Sequence, residues 1–336
     1  ITLLTETEVV DVQKEDNKIV GLTYKNADGE FDVQATSFID ATQDADFAVM
    51  AGAPYFVGGE DIGIEDKKMA VTLMIHLNNV DWDGVRAEAA SGKFGEAEVT
   101  ETAAWGFVEL TRVYKPIEEN TRLRGLNLAK VGDDYYINAL QIFGVNGLDE
   151  ASKAEGIARG QREIDNIVAY LKSEFKGFEN AVIASYPPEL YVRETRHIIA
   201  EYQLPMADVW MNRNHWDNIA YASYPVDIQA QTPQDYGYIV SAPTAYAIPF
   251  RSIVPKEVDG LLVVGRSAGF SSIAAGSARI VTTGMAVAEA AGAAAAQIVG
   301  TEQSFRQLSQ DEAGIEILRA TLMAQGAYLE EIETTY

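Results

Sequence analysis

Cysteine is absent from the 336-residue chain, which excludes disulfides, thiolate metal sites, thiol nucleophiles and redox-active dithiols. Any redox chemistry must come from a bound cofactor, and no metal site is expected. Histidine is scarce, at positions 76, 197 and 215, which leaves thin support for chemistry that needs a titrating base. Positive charge is the third shortage: 26 Lys and Arg face 50 Asp and Glu, a formal net charge of −24. The resulting field repels phosphates, so neither a nucleic acid nor an anionic membrane surface is an expected partner. Long hydrophobic runs are missing too, because the one candidate, an Ala-rich stretch near the C-terminal end, is too weakly hydrophobic to span a bilayer.

What is present reads as globular, with 47% apolar and 10% aromatic residues. A chain of this length calls for one large or two interleaved domains. The organising stretch is 246–299. Within it, Leu261 to Val264 is a short apolar run ending at Gly265, as a strand buried on both faces of an α/β sheet reads. From Ile280 to Val299, the residues Val281, Met285, Ala288, Gly292 and Ala296 follow helical spacing, and Thr282, Thr283 and Gly284 suit a helix start. A strand, a small-residue loop and a helix N-terminus together would make a cofactor cradle. They also describe an ordinary packing unit, and pattern alone favours that plainer reading.

Taken in order, residues 2–12, 18–24 and 30–36 are β-rich and separated by polar turns, which predicts a three-stranded meander. Phe38 and Ile39 close a further strand, an acidic turn follows, and Phe47 to Ala51 begin a helix. Residues 69–81 read as a long strand in which His76 is expected to be a satisfied core residue. Residues 104–114 and 134–143 are strand-like, giving the middle region a sheet of its own. Arg122, Arg124 and Asn138 lie in or beside it; an arginine turned toward a cleft would suit a substrate carboxylate, although solvent exposure is the simpler reading. Residues 149–175 form a strong amphipathic helix. Arg193 and Arg196, with Glu194 between them and Glu201 beyond, suit a buried ion-pair strut or an anion clamp, and chemistry alone favours the strut. The segment 318–329 reads as an amphipathic packing helix.

Several of these pieces carry a resemblance. Leu261-Leu-Val-Val-Gly-Arg266, then Gly276-Ser-Ala-Arg279, then Gly284-Met-Ala-Val-Ala-Glu-Ala-Ala-Gly292 resembles the C-terminal flavin-contacting segment of the FAD-dependent oxidoreductase family, in its glutathione-reductase-like branch. Some relatives there carry a xanthan lyase label. Ile39-Asp-Ala-Thr-Gln-Asp-Ala-Asp46 matches a family turn, with Gln43 and Ala45 in place of two glycines. Arg193-Glu-Thr-Arg196, followed by Glu201 and Tyr202, matches another motif, with departures at His197 and Ala200. Asp217-Asn-Ile-Ala and Tyr224-Pro-Val-Asp227 match a third, in which Gln229 replaces a frequent histidine. The resemblance implies that Asp40, Ala41, Thr42, Asp44, Gly265, Arg266, Ser277, Arg279 and Gly284 surround FAD. It implies Arg193, Tyr202 and Asp227 as catalytic residues, Asp227 gaining weight because glutamine cannot titrate.

The Gly-X-Gly-X-X-Gly unit that such a flavoprotein uses for the pyrophosphate is absent. With a first residue Ile1 inside a strand-like run, the expectation is a fragment lacking the family's opening segment, so that the chain alone need not retain FAD. The fold expected is α/β, the remnant of a Rossmann-like FAD-binding domain carrying an inserted mixed-sheet α+β substrate domain. The parts are 1–57 and 245–300 for the FAD domain, 58–244 for the substrate domain and 301–336 for a helical tail. The function expected is an FAD-dependent oxidoreductase acting on a small molecule. A polysaccharide lyase and a non-catalytic binding module are the alternatives. Oligomeric state is open, and so is the compartment, with the cytoplasm favoured over secretion.

Overall fold

The computed structural model describes residues 1–65, 68–235, 237–240 and 243–332. They form two compact units, one from Ile1–Asp66, Glu194–Ile228 and Tyr238–Tyr336, the other from Lys67–Arg193 and Gln229–Gly237. Residues 58–65, 194–228, 238–240 and 243–244, expected in the inserted domain, thus group with the first unit. The end of the expected tail, 333–336, lies outside the described residues. Among the described residues no helix is long and apolar enough to cross a membrane.

The first unit opens with the antiparallel strands Glu8–Glu15, Lys18–Asn26 and Gly29–Gln34, the expected meander with a later start. Phe38–Asp40 then pairs in parallel with Leu261–Val263, in the register Phe38↔Leu261, Ile39↔Leu262, Asp40↔Val263. Leu261, Leu262 and Val263 are all buried, as their uninterrupted apolar run predicts. Short antiparallel ladders follow, Tyr55–Val57 with Arg196–Ile198 and Asn218–Ala222 with Tyr246–Pro249. The helix Val281–Ile298 buries Val287, Ala290, Ala291, Ala294 and Ile298 in the same core as the second of these ladders. The stripe singled out in the sequence is its other face: Val281 is 71% exposed and Met285 67%. Both faces of an Ala-rich helix are apolar, so periodicity could not tell which one packs.

The second unit carries a six-stranded sheet in the spatial order Val182–Ser185, Ile75–Asn78, Asp134–Ile137, Asn127–Val131, Ala103–Gly106, Ala97–Val99, with every pair antiparallel. Ile75, Leu77, Leu128, Tyr135 and Ile137 alternate into a core shared with the helix Glu150–Glu174. That helix starts where Asp149 accepts from the Ser152 N–H at 2.7 Å. Its Ile164, Ile167, Val168 and Leu171 are buried, each contributing about 1.5–3 kcal/mol. Glu163, fully buried on the same helix, accepts from the Tyr114 hydroxyl and from the N–H groups of Ile117 (3.1 Å) and Glu118 (2.8 Å).

Three expected strands come out differently. Of residues 69–81 only Ile75–Asn78 is a strand, with isolated bridges at Val71 and Thr72. The run 104–114 ends as a strand at Gly106 and continues as the helix Leu110–Val113, because Gly106 and Phe107 both take positive φ (109° and 54°) and turn the chain. The run 134–143 splits into Asp134–Ile137 and Leu140–Ile142, which pair with different neighbours.

Candidate functional site

The parallel pair in the first unit ends in a turn whose hub is Asp40, 2% exposed. Its Oδ1 accepts from the Thr42 N–H (2.8 Å) and hydroxyl (2.7 Å), and its Oδ2 from the Ala48 N–H (2.8 Å). The Thr42 hydroxyl in turn accepts from the Asp46 N–H at 2.8 Å, at the start of the helix Asp46–Met50. Ala45 sits in the left-handed region at φ 55°, which costs a residue with a Cβ about 1–2 kcal/mol. A glycine in the matching family turn would avoid that cost. Gln43 is not among the positive-φ residues, so its departure from glycine is tolerated by the backbone.

Opposite the turn, the Val264 N–H reaches the Asp40 carbonyl at 3.0 Å and extends the pairing to the strand end. Gly265 follows with φ 86°, and a Cβ placed there would meet no atom within 4 Å. Arg266 donates from Nη1 to Gln43 Oε1 and from Nη2 to Asp44 Oδ1, both at 2.6 Å. Ser267 donates its hydroxyl to the Gln43 carbonyl, and Thr195 donates to the Asp44 carboxylate. Arg196 donates to the Asp44 carbonyl (2.9 Å) and to Asp46 Oδ1 (2.7 Å). Two guanidiniums therefore clamp the acidic turn through charge-assisted bonds.

The helix Val281–Ile298 begins one residue before the expected Thr282. Its N-cap is Ile280, which supplies no side-chain cap. The N–H groups of its first turn keep no intrahelical partner, and the helix end carries partial positive charge. A Cβ on Gly284 would lie 3.9 Å from the Gly265 Cα, so the helix start and the strand end meet at two glycines. Ala41, Thr42 and Gln43 at the turn tip are exposed.

The remaining candidates fall elsewhere. Ser277, fully buried in the helix Ser272–Ala278, donates to the Tyr224 carbonyl at 2.5 Å and accepts from the Tyr246 hydroxyl at 2.7 Å. Its hydroxyl is engaged within the core. Arg279 and Asp227 meet each other, Nη2 lying 3.3 Å from the Asp227 carbonyl and 3.7 Å from its carboxylate. The Tyr202 hydroxyl donates to Asp208, a buried carboxylate that also takes His215 Nε2 (2.9 Å) and Arg213 Nε (3.1 Å). Burial, with the Asp208 bond, pushes the Tyr202 hydroxyl up to about 12, which makes it a poor proton donor near neutrality. Arg193 belongs to the second unit and donates to the Ala70 carbonyl (2.8 Å) and the Thr72 hydroxyl (3.0 Å) over the Tyr191 ring.

Of the two arginines in that motif, Arg196 holds the acidic turn, with Thr195 beside it, while Arg193 bonds within the second unit. The signal was in the motif, but three residues along it the chain has passed from one unit to the other. No sequence signal marked Gln43 as the acceptor for Arg266. Nor is His76 a core residue. It lies on the sheet face stacked against Tyr136, with Nδ1 2.8 Å from the Ser185 hydroxyl and Nε2 2.7 Å from Asp134. A surface hollow of about 750 Å³ beside the strands Ala97–Val99 and Ala103–Gly106 includes none of the residues singled out in the sequence.

His215 gives a pH expectation. Burial pushes its pKa below the ordinary histidine value, outweighing the attraction of Asp208 and Asp217. The unfolded chain takes up that proton at about pH 6.5, but folded His215 does so only at lower pH. Stability from this group is therefore complete above about pH 6.5 and is lost as the pH falls from there through the folded value. Urea unfolding across that range should show the loss, and His215→Gln should flatten it. An unaltered slope in the variant would mean that His215 charges without penalty.

The residues at the strand ends fit the flavin half of FAD. A Cβ on Gly265 would meet no atom within 4 Å and one on Gly284 only the Gly265 Cα at 3.9 Å, and an uncapped helix start offers N–H donors to an electron-rich edge. Comparison with solved structures gives low similarity over nearly the whole chain. The flavin-dependent brominase Bmp2 shares 13% identity at a TM-score of 0.41, covering 94% of this chain and 55% of its own. A geranylgeranyl bacteriochlorophyll reductase-like protein from Thermoplasma acidophilum shares 9% at 0.40, covering 95% and 54%. The myxobacterial chondrochloren halogenase CndH shares 14% at 0.38, covering 98% and 58%. The chain spans a little over half the length of each. No curated protein matches the sequence. A family model described as FAD dependent oxidoreductase matches residues 1–322, and the chain belongs to that family.

Proposed function

We propose that this chain holds the flavin half of FAD at the ends of its parallel strand pair and works as an oxidoreductase on a small molecule. When bound, FAD supplies the hydride acceptor, N5 of its ring system. The start of Val281–Ile298 offers N–H groups to the electron-rich ring edge. Gly265 and the exposed residues Ala41 and Thr42 permit close approach. Arg266 and Arg196 act on the turn that carries those residues, so both are positioning groups here. No Gly-X-Gly-X-X-Gly unit occurs in these 336 residues, so this reading concerns the flavin half of FAD alone.

The observation carrying this reading is the meeting, within one unit, of the exposed turn tip, the open left-handed Gly265 and the uncapped helix start. Protein purified from the complete reading frame should be yellow, with flavin released on denaturation. Arg266→Ala should reduce the retained flavin roughly tenfold, the effect of losing charged hydrogen bonds that hold the turn. Colourless protein in the presence of excess FAD would remove the reading, and full retention in the variant would remove Arg266 from it.

A further inference from the structure

The second unit carries its own arginine cluster. Arg122 and Gln141 face each other across the ladder of Thr121–Leu123 with Leu140–Ile142. Gln141 Oε1 accepts from Arg122 Nε (2.9 Å) and Nη2 (2.7 Å), while Gln141 Nε2 donates to Gln229 Oε1 at 3.0 Å. Gln229 Oε1 also accepts from Arg124 Nη1 at 2.6 Å. Both glutamines are buried, 2% and 4% exposed. An amide between Leu140 and Ile142, in an otherwise buried apolar strand, is expensive unless its polar atoms are bonded. Here those atoms tie two guanidiniums to one bridge.

Two features point to an anionic ligand. The chain has 50 acidic residues, yet among the described residues none pairs with Arg124, whose only side-chain hydrogen bond is the one to Gln229. A half-buried guanidinium resting on a neutral amide keeps its charge uncompensated. That one bond also uses Nη1. The remaining Nε and Nη2 are not sealed from solvent, and together they form the edge of the guanidinium that takes a planar carboxylate through two parallel bonds. Arg122, over the Phe143 ring at 5.3 Å, donates to the Pro233 carbonyl at 3.1 Å and brings a second positive charge to the same bridge.

We propose that Arg124 binds the carboxylate of a small organic acid, with Gln229 and Gln141 positioning its guanidinium and Arg122 strengthening the field. All of these residues lie in the second unit, so the site does not depend on the flavin reading.

Benzoate titrated into the complete protein labelled with ¹⁵N-arginine should shift one Nε–Hε resonance saturably, and that resonance should be missing from Arg124→Gln. Benzamide, of similar shape but uncharged, should leave it unmoved. Arg124→Lys keeps the charge without the fork and should weaken benzoate binding roughly tenfold by calorimetry. The absence of a saturable shift overturns the proposal, as does a lysine variant that binds unchanged. Inorganic phosphate binding as tightly as benzoate overturns the carboxylate assignment. Should Arg124→Gln fail to fold, the contrast between benzoate and benzamide on the parent protein still decides.

Discussion

Arg251→Met is expected to lower the stability of the first unit by about 3–5 kcal/mol, the cost of stranding a buried charge. The charge is Asp217, fully buried, whose Oδ2 accepts from Arg251 Nε (2.8 Å) and backbone N–H (3.1 Å) and whose Oδ1 accepts from Nη2 (3.1 Å). The guanidinium also lies over the rings of Tyr202 (5.0 Å) and Trp216 (5.5 Å). Removing it leaves the carboxylate one backbone donor and no counter-charge. Arg251→Met combined with Asp217→Leu should recover most of the loss, because two apolar groups replace a pair whose desolvation offsets much of its attraction. Urea midpoints followed by tryptophan fluorescence, to which Trp216 contributes, read both variants. A single variant within about 1 kcal/mol of the parent would place the pair with weak surface ion pairs instead.

Asp40→Ala should cost about 2–4 kcal/mol and, on the proposed function, lower flavin retention at the same time. The carboxylate satisfies the N–H groups of Thr42 and Ala48, and each buried donor left without a partner costs about 1–3 kcal/mol. Ala48 is fully buried and gains no water in exchange, whereas Thr42 is exposed and does. Asp40→Asn should fall between, because one side of its amide presents a donor to a donor. Unfolding and flavin content measured on the same preparations separate the possibilities. Loss of flavin with unchanged stability would mean that Asp40 touches the cofactor rather than shaping the turn. Retention of both would end its role as a hub.

Much of this corner was legible in the residues. An apolar run of four ending in glycine marked Leu261–Val263 as buried sheet, and Phe38–Asp40 was recognisable as the close of a strand. The amphipathic helix Glu150–Glu174 was placed within a residue at each end, since its period and its Asp cap are local signals. The second unit was harder. Its strands are three to five residues long, and Gly106 and Phe107 turn one of them away at a point where the residue types read as strand. Element identity there depends on which strands find each other, and that is a property of distant parts of the chain.

Composition and local pattern by themselves determined that thiol chemistry is excluded, that an α/β chain with a small-residue helix and an acidic turn was to be expected, and that an arginine would follow the strand-end glycine. Only the folded chain decided that Arg196 and Arg266 serve the turn while Arg193 serves the other unit. It also decided that Ser277 is buried, that the packed face of the Ala-rich helix is the one opposite the conspicuous stripe, and that Gln141 and Gln229 carry Arg122 and Arg124. Spacing along a chain states which side chains share a face, but a hydrogen-bond partner more than a hundred residues away is selected by packing, and periodicity holds no record of it.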